Sequence, residues 1–256
     1  STANGNCIAG TDKVIINFTN PPTVNAGADL SVCKNNLGSI LSGTVSGPTT
    51  TGIWSGGSGS FNPGNSALTA TYTPSPSEIT AGVATLTLTS TGNGNCNAVT
   101  DVIVINLTNA PVVSAGADIN SCSNNANTVL SGVVSGPTTA GVWSGGAGSF
   151  NPGNSALTAT YTPSPAEIAA GVATLTLTST GNGNCNAVTD IVQINFTAAP
   201  SVNAGVDLSS CKNNPATALA GLVTGPTSTG VWSGGAGSYN PNSSTLNSIY
   251  TPNAAE

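Results

Sequence analysis

The chain has 256 residues, with 9 acidic side chains, 3 lysines, no arginine and no histidine, and a net charge of −6. Charged residues are 5% of the chain, against about 25% in an ordinary soluble domain, so there is no clustered Lys and Arg for a phosphate groove and no imidazole for acid–base or metal work. No apolar run reaches the roughly 18 residues of a membrane helix, and alternating Val, Ile and Leu argue against a disordered acidic chain.

Strand signals run the length of the chain. The first, near the N-terminus, is the period-two set Val14, Ile16 and Phe18. The next are predicted over 24–32, 40–45, 52–54, 67–73, 83–89 and 99–108, separated by clusters of Gly, Pro, Asn and Ser. In 83–89, Leu86 and Leu88 alternate with Thr85, Thr87 and Thr89, the pattern of a half-buried antiparallel strand. No segment has the periodicity of a long helix; PAEIAAG at 165–171 is expected to form one helical turn at most.

The same elements then recur. Trp54, Trp143 and Trp232 are 89 residues apart, as are Asp29, Asp118 and Asp207, the set Cys7, Cys96 and Cys185, and the set Cys33, Cys122 and Cys211. GSFNPGNSALTATYTPSP, beginning at Gly59, returns unchanged at Gly148. Full repeats are therefore expected at 22–110 and 111–199, an incomplete one at 200–256, and the last strand of a preceding repeat in 1–21. Two readings of the broken ends stay open: a window from a longer array, or a subunit completed by a neighbour's strand. Aligned copies fix the register of the last strand. Val14, Ile103 and Val192, then Ile16, Ile105 and Ile194, then Phe18, Leu107 and Phe196 are apolar in every copy. A one-residue slip would bury Lys13 and Asn17.

About seven short strands per repeat, with one Trp in the third strand region, predict an all-β fold of tandem immunoglobulin-like sandwiches arranged as an extended rod. Trp54, Phe61 and Tyr72 are expected in the core; the competing role for them is a ligand-stacking platform. The segments NAGADLSVC, LSGTVSGPTTTGIWSGGSGSFNP and AVTDVIVIN resemble tandem repeats of very large surface proteins exported by Bacteroidetes, many of them adhesins or gliding-associated proteins of the type IX secretion route. PPTVNAGAD is similar to the opening of polycystic-kidney-disease-type sandwich domains. The resemblance implies an extracellular, cell-surface location. It implies no receptor-binding or catalytic residue.

Two cysteines per repeat in an exported chain point to disulfides, and all six are expected to be oxidised. Three pairings are open. One closes each repeat, Cys33–Cys96 and Cys122–Cys185. A second joins Cys7–Cys33, Cys96–Cys122 and Cys185–Cys211. In an immunoglobulin-like topology the loop after the first strand and the last hairpin lie at opposite poles, which permits a third, from Cys33 of one domain to Cys185 of the next.

The acids fall in different strands and loops, with no paired-carboxylate motif, so catalysis is not expected. Calcium would need six to eight oxygens, and Asp29 with a neighbour's Asp101 is the best candidate pair. Otherwise the acids serve turns and solubility. No catalytic, cofactor or metal residue is assigned. The GGSGS stretches lack the Lys and helix of a phosphate loop and read as flexible or tightly turned. Nearly identical modules with short Pro junctions suit reach, so the expected function is a stalk or filament segment that extends an adhesive tip or forms a fibre. The alternative is a multivalent glycan- or surface-binding adhesin. Expected partners are neighbouring repeats or identical subunits, with surface glycans under the alternative and no nucleic acid.

Overall fold

The computed structural model describes residues 2, 3 and 5–256. They form two compact units: one runs to Pro111 and takes in Asn182–Ala187, and the other comprises Val112–Gly181 and Val188–Glu256.

In the first unit, the elements are β1 (Thr23–Asn25), β2 (Leu30–Cys33), β3 (Ser39–Ile40), β4 (Thr44–Ser46), β5 (Thr51–Gly56), β6 (Ser60–Asn62), β7 (Thr71–Thr73), the helix α1 (Pro76–Ala81), β8 (Val83–Thr91) and β9 (Thr100–Thr108). One sheet has the order β2-β9-β8-β5, a second has β3-β7-β6, and β1 pairs with β4. β2 runs parallel to β9 and the other pairs are antiparallel. Taking β3 and β4 as one interrupted strand, the first strand divides between the two faces and the Trp strand β5 flanks the β8–β9 hairpin. That is an immunoglobulin-like sandwich.

The core lies between the sheets. Trp54, Tyr72, Leu86, Leu88, Ile103 and Ile105 are fully buried. Along β8 the side chains of Ala84, Leu86, Leu88 and Ser90 point inward and the threonines do not, as the alternation requires. Ile103, Ile105 and Leu107 are buried as the register analysis expects.

The strands predicted over 24–32 and 40–45 are each broken in two. Gly27 adopts φ +93°, and a Cβ there would strike the Ser42 hydroxyl, so the chain turns at this point and crosses to the other sheet. At Gly43 a Cβ would meet Trp54 and Leu88, so the backbone packs directly on the core between β3 and β4. β6 and α1 were not anticipated, and β7 begins later than the predicted 67–73 run. Residues 11–19 form no strand, and Val14, Ile16 and Phe18 are exposed.

The second unit repeats the pattern with β10 (Val112–Ser114), β11 (Ile119–Cys122), β12 (Thr128–Val129), β13 (Val133–Ser135), β14 (Ala140–Gly145), β15 (Ser149–Asn151), β16 (Thr160–Thr162), α2 (Pro165–Ala170), β17 (Val172–Thr180) and β18 (Thr189–Thr197). Its sheets have the orders β11-β18-β17-β14 and β12-β16-β15, with β10 on β13. Trp143, Tyr161, Leu175, Leu177, Val192 and Ile194 form its core. Residues 200–256 build only β19 (Ser201–Asn203), β20 (Thr217–Ala218), β21 (Leu222–Thr224), β22 (Ser238–Asn240) and β23 (Ile249–Thr251). They contain no counterpart of the β8–β9 hairpin. Trp232 is therefore half-buried rather than buried as expected, and a cavity of about 160 Å³ lined by Val223, Trp232 and Leu246 lies beside it. In the first repeat Leu88 stands opposite Trp54 on the neighbouring strand.

Candidate functional site: a clamped disulfide

One side of the site is the turn that ends β2. Cys33 lies beside Thr108 of β9, and Lys34 N–H donates to the Thr108 carbonyl at 2.9 Å. The turn closes through Asn36 N–H to the Cys33 carbonyl at 2.9 Å. This short closure brings the amides of Asn35 and Asn36 to the same side as the sulfur.

The other side is the loop Asn182–Ala187, which follows β17 in sequence and belongs to the first compact unit. Its turn is set by Cys185 N–H donating to the Asn182 carbonyl at 3.0 Å. Cys33 and Cys185 form a disulfide, with an S–S distance of 2.07 Å and Cα atoms 4.9 Å apart. Asparagines flank it as a clamp. Asn184 Nδ2 donates to the Ser31 carbonyl at 2.8 Å, and Asn36 Nδ2 donates to the Asn184 carbonyl at 3.0 Å. Asn35 Nδ2 donates to the Asn186 carbonyl at 3.0 Å, Asn186 N–H donates to Asn35 Oδ1 at 3.0 Å, and Asn186 Nδ2 donates to the Asn35 carbonyl at 2.7 Å. A net of about 0.5–1.5 kcal/mol per neutral hydrogen bond makes the clamp a substantial addition to the covalent link. None of its groups is charged, so neither salt nor pH near neutrality weakens it.

The bond matches the third of the three pairings. Cys33–Cys96, Cys122–Cys185, Cys7–Cys33 and Cys185–Cys211 are not formed, because Cys33 and Cys185 are already joined to each other. Cys7, Cys96, Cys122 and Cys211 are unpaired in this structure, so two of the six cysteines are bonded rather than all six as expected. The cysteine spacing was visible in sequence. The asparagines around it were not singled out, although every copy of the turn reads Cys-x-Asn-Asn.

The acids have backbone partners. Asp29 Oδ1 accepts from Val104 N–H and Asp101 Oδ2 from Ala26 N–H, both at 2.8 Å. Asp118 and Asp190 repeat this with Gln193 N–H and Ala115 N–H. Asp29 and Asp101 thus brace one repeat, rather than joining neighbours around a cation. The N–H groups of Ala26 and Val102 hold the Asp101 carboxyl below its ordinary range. Among the described residues no group of three His, Cys, Asp or Glu is placed to hold a metal.

Glu78 is a residue that sequence reasoning passed over. Ser75 caps α1 and Glu78 closes a capping box with it, the Ser-x-x-Glu pattern that could have been read directly. The Glu78 carboxylate is buried and accepts from Ser75 N–H, Ser58 N–H and the Tyr72 hydroxyl. Burial first, and then the Glu78 carboxylate, push the Tyr72 phenol up to about 12. Burial alone would raise Glu78, but these hydrogen bonds outweigh it and its pKa is lowered. The GGSGS loop is tightly turned over this pair: Gly57 has φ +67°, and a Cβ there would collide with the Tyr72 hydroxyl.

No protein-family model matches the chain. A search of the curated proteins gives no match either. Solved structures do match. The chain is similar to titin domains I67–I69, at 10% identity and a TM-score of 0.42, over 91% of this chain and 87% of that one. It is similar to mouse cadherin-23 EC22–24, at 13% identity and 0.38, over 91% and 88%. It is also similar to extracellular domains 3–5 of Drosophila OTK, at 11% identity and 0.38, over 68% of this chain and 62% of that one. The chain spans half the length of the Drosophila N-cadherin EC1–4 structure it matches.

Proposed function

We propose that this chain is a load-bearing stalk or filament segment of a bacterial cell-surface protein, whose repeats extend an adhesive tip or build a fibre outside the cell. The observation that carries this reading is the clamped Cys33–Cys185 bond. It closes a loop with a sequence separation of 152 residues. A pull on the two ends of the chain passes from Cys33 to Cys185 through the sulfurs, so the stretch of chain between the two cysteines carries no load while the bond holds. A structural disulfide also belongs to an oxidising compartment, which supports a location outside the cytoplasm.

The aromatics speak against a glycan-gripping surface. Trp54, Trp143, Tyr72 and Tyr161 are fully buried. Phe61 and Phe150 pack at a tilt against those tyrosines, with ring centroids 4.8 and 5.0 Å apart. No indole face in either complete sandwich is left for a sugar.

Single-molecule pulling between the chain ends tests the reading. The 152-residue separation locks away about 500 Å of extended chain at roughly 3.3–3.6 Å per residue. The oxidised protein should lack that length, and adding reductant should restore it. Equal extension in both states would overturn a load-bearing role.

A further inference from the structure

We propose that the turn at Cys122 is a second docking socket of the same kind, and that its partner is a Gly-Asn-Cys-Asn loop of another repeat of this type. This deepens the stalk reading by naming what that reading's repeats bind to.

The socket is preformed. β11 lies parallel on β18 with Cys122 opposite Thr197, as Cys33 lies opposite Thr108. Ser123 N–H donates to the Thr197 carbonyl at 2.8 Å, and Asn125 N–H donates to the Cys122 carbonyl at 2.9 Å. Both bonds have their counterparts at Lys34 and Asn36. The groups that grip the Cys185 loop are the carbonyl of Ser31 and the Asn35 and Asn36 amides with the Asn35 carbonyl. Their equivalents one period on are Asn120, Asn124 and Asn125. The replacements Val32 to Ser121 and Lys34 to Ser123 remove none of these groups. Cys122 itself is a half-buried free thiol.

A matching loop is also preformed. Gly94-Asn95-Cys96-Asn97 repeats Gly183-Asn184-Cys185-Asn186 letter for letter. Cys96 N–H donates to the Asn93 carbonyl at 3.0 Å, as Cys185 N–H does to Asn182. The Cys96 sulfur lies 3.7 Å from the Asn20 carbonyl, and the Cys185 sulfur lies 3.7 Å from the Asn109 carbonyl, one period away. The unbonded loop therefore holds the pose of the bonded one. The loop at Cys7 is different: Ile8 stands where Asn97 and Asn186 stand, so the side-chain amide that donates to the Asn35 carbonyl has no counterpart there.

The bond forms by thiol–disulfide exchange. With the incoming loop cysteine carried as a mixed disulfide with glutathione, the Cys122 thiolate attacks the loop sulfur. The new S–S bond forms, the loop–glutathione bond breaks, and glutathione leaves as the thiol.

The test uses the oxidised 256-residue protein and a synthetic peptide of residues 90–101, STGNGNCNAVTD, as its glutathione mixed disulfide. Adducts at each free cysteine are followed by peptide mass spectrometry. Peptide coupling at Cys122 should exceed that at the more exposed Cys7 by about tenfold, the factor that 1.4 kcal/mol of clamp hydrogen bonding supplies. A peptide with both flanking asparagines changed to alanine, or the protein variant with Asn124→Ala and Asn125→Ala, should lose that preference. Coupling that follows exposure alone, fastest at Cys7 and unaffected by either change, would overturn the socket. It would leave the stalk reading intact, because that reading rests on Cys33–Cys185.

Discussion

The hydroxyl of Tyr72 donates to both carboxylate oxygens of Glu78, at 2.8 and 2.9 Å, and the pair ties the Gly-rich loop to the cap of α1. Tyr161 and Glu167 repeat the contact. Glu78 has a lowered pKa in the folded state, so its contribution is present above the ordinary glutamate range and is lost as pH falls through the folded value. Tyr72 has a raised one, so its contribution is full below pH 10 and fades as pH rises toward about 12. Thermal unfolding across pH should show a broad plateau with losses on both flanks. Glu78→Gln should lower stability at neutral pH by about 1–3 kcal/mol and flatten the acid flank. An unchanged acid flank would show that the pair carries no weight.

The three tryptophans should not respond alike. Trp143→Ala should destabilise its sandwich by about 3–5 kcal/mol, since it empties a closed core. Trp232→Ala should cost clearly less, because Trp232 already borders a cavity. Denaturant unfolding of the two variants gives the comparison. Equal losses would contradict the half-open third core.

The clamp should guide its own disulfide. Asn35→Ala with Asn186→Ala removes side chains that make three of the clamp hydrogen bonds or leaves them weakened, without touching either sulfur. Regeneration of the Cys33–Cys185 bond from the reduced protein in a glutathione buffer should slow, and its reduction at equilibrium should become easier. No change in either would assign the pairing to chain geometry alone.

Much of this was legible in sequence. The 89-residue period follows from the recurrence of Trp54, Trp143 and Trp232, and the inward Leu86 and Leu88 and the register of Ile103, Ile105 and Leu107 follow from alternation, which reports directly which side of a strand is buried. The breaks at Gly27 and Gly43 were not legible as breaks, because a glycine inside an apolar run signals a turn only when a neighbour from another strand crowds it. Glu78 was not singled out among the acids, because the convergence of its donors from Ser58, Tyr72 and Ser75 is not visible in sequence. The disulfide could be reduced to three pairings and no further, since spacing alone does not say which loop meets which turn.

The pairing itself is the most direct test, and the chain's own glutamates make it clean. After thiols are blocked and the protein is denatured without reductant, cleavage at Glu78 and Glu167 gives three fragments, each holding two cysteines. The Cys33–Cys185 bond should link residues 1–78 to residues 168–256 and release 79–167 free, with Cys96 and Cys122 both blocked as thiols. Closure within repeats would instead tie all three fragments together through Cys33–Cys96 and Cys122–Cys185. Pairing at the shorter spacing would leave all three separate. Either of those patterns would contradict the inter-repeat staple.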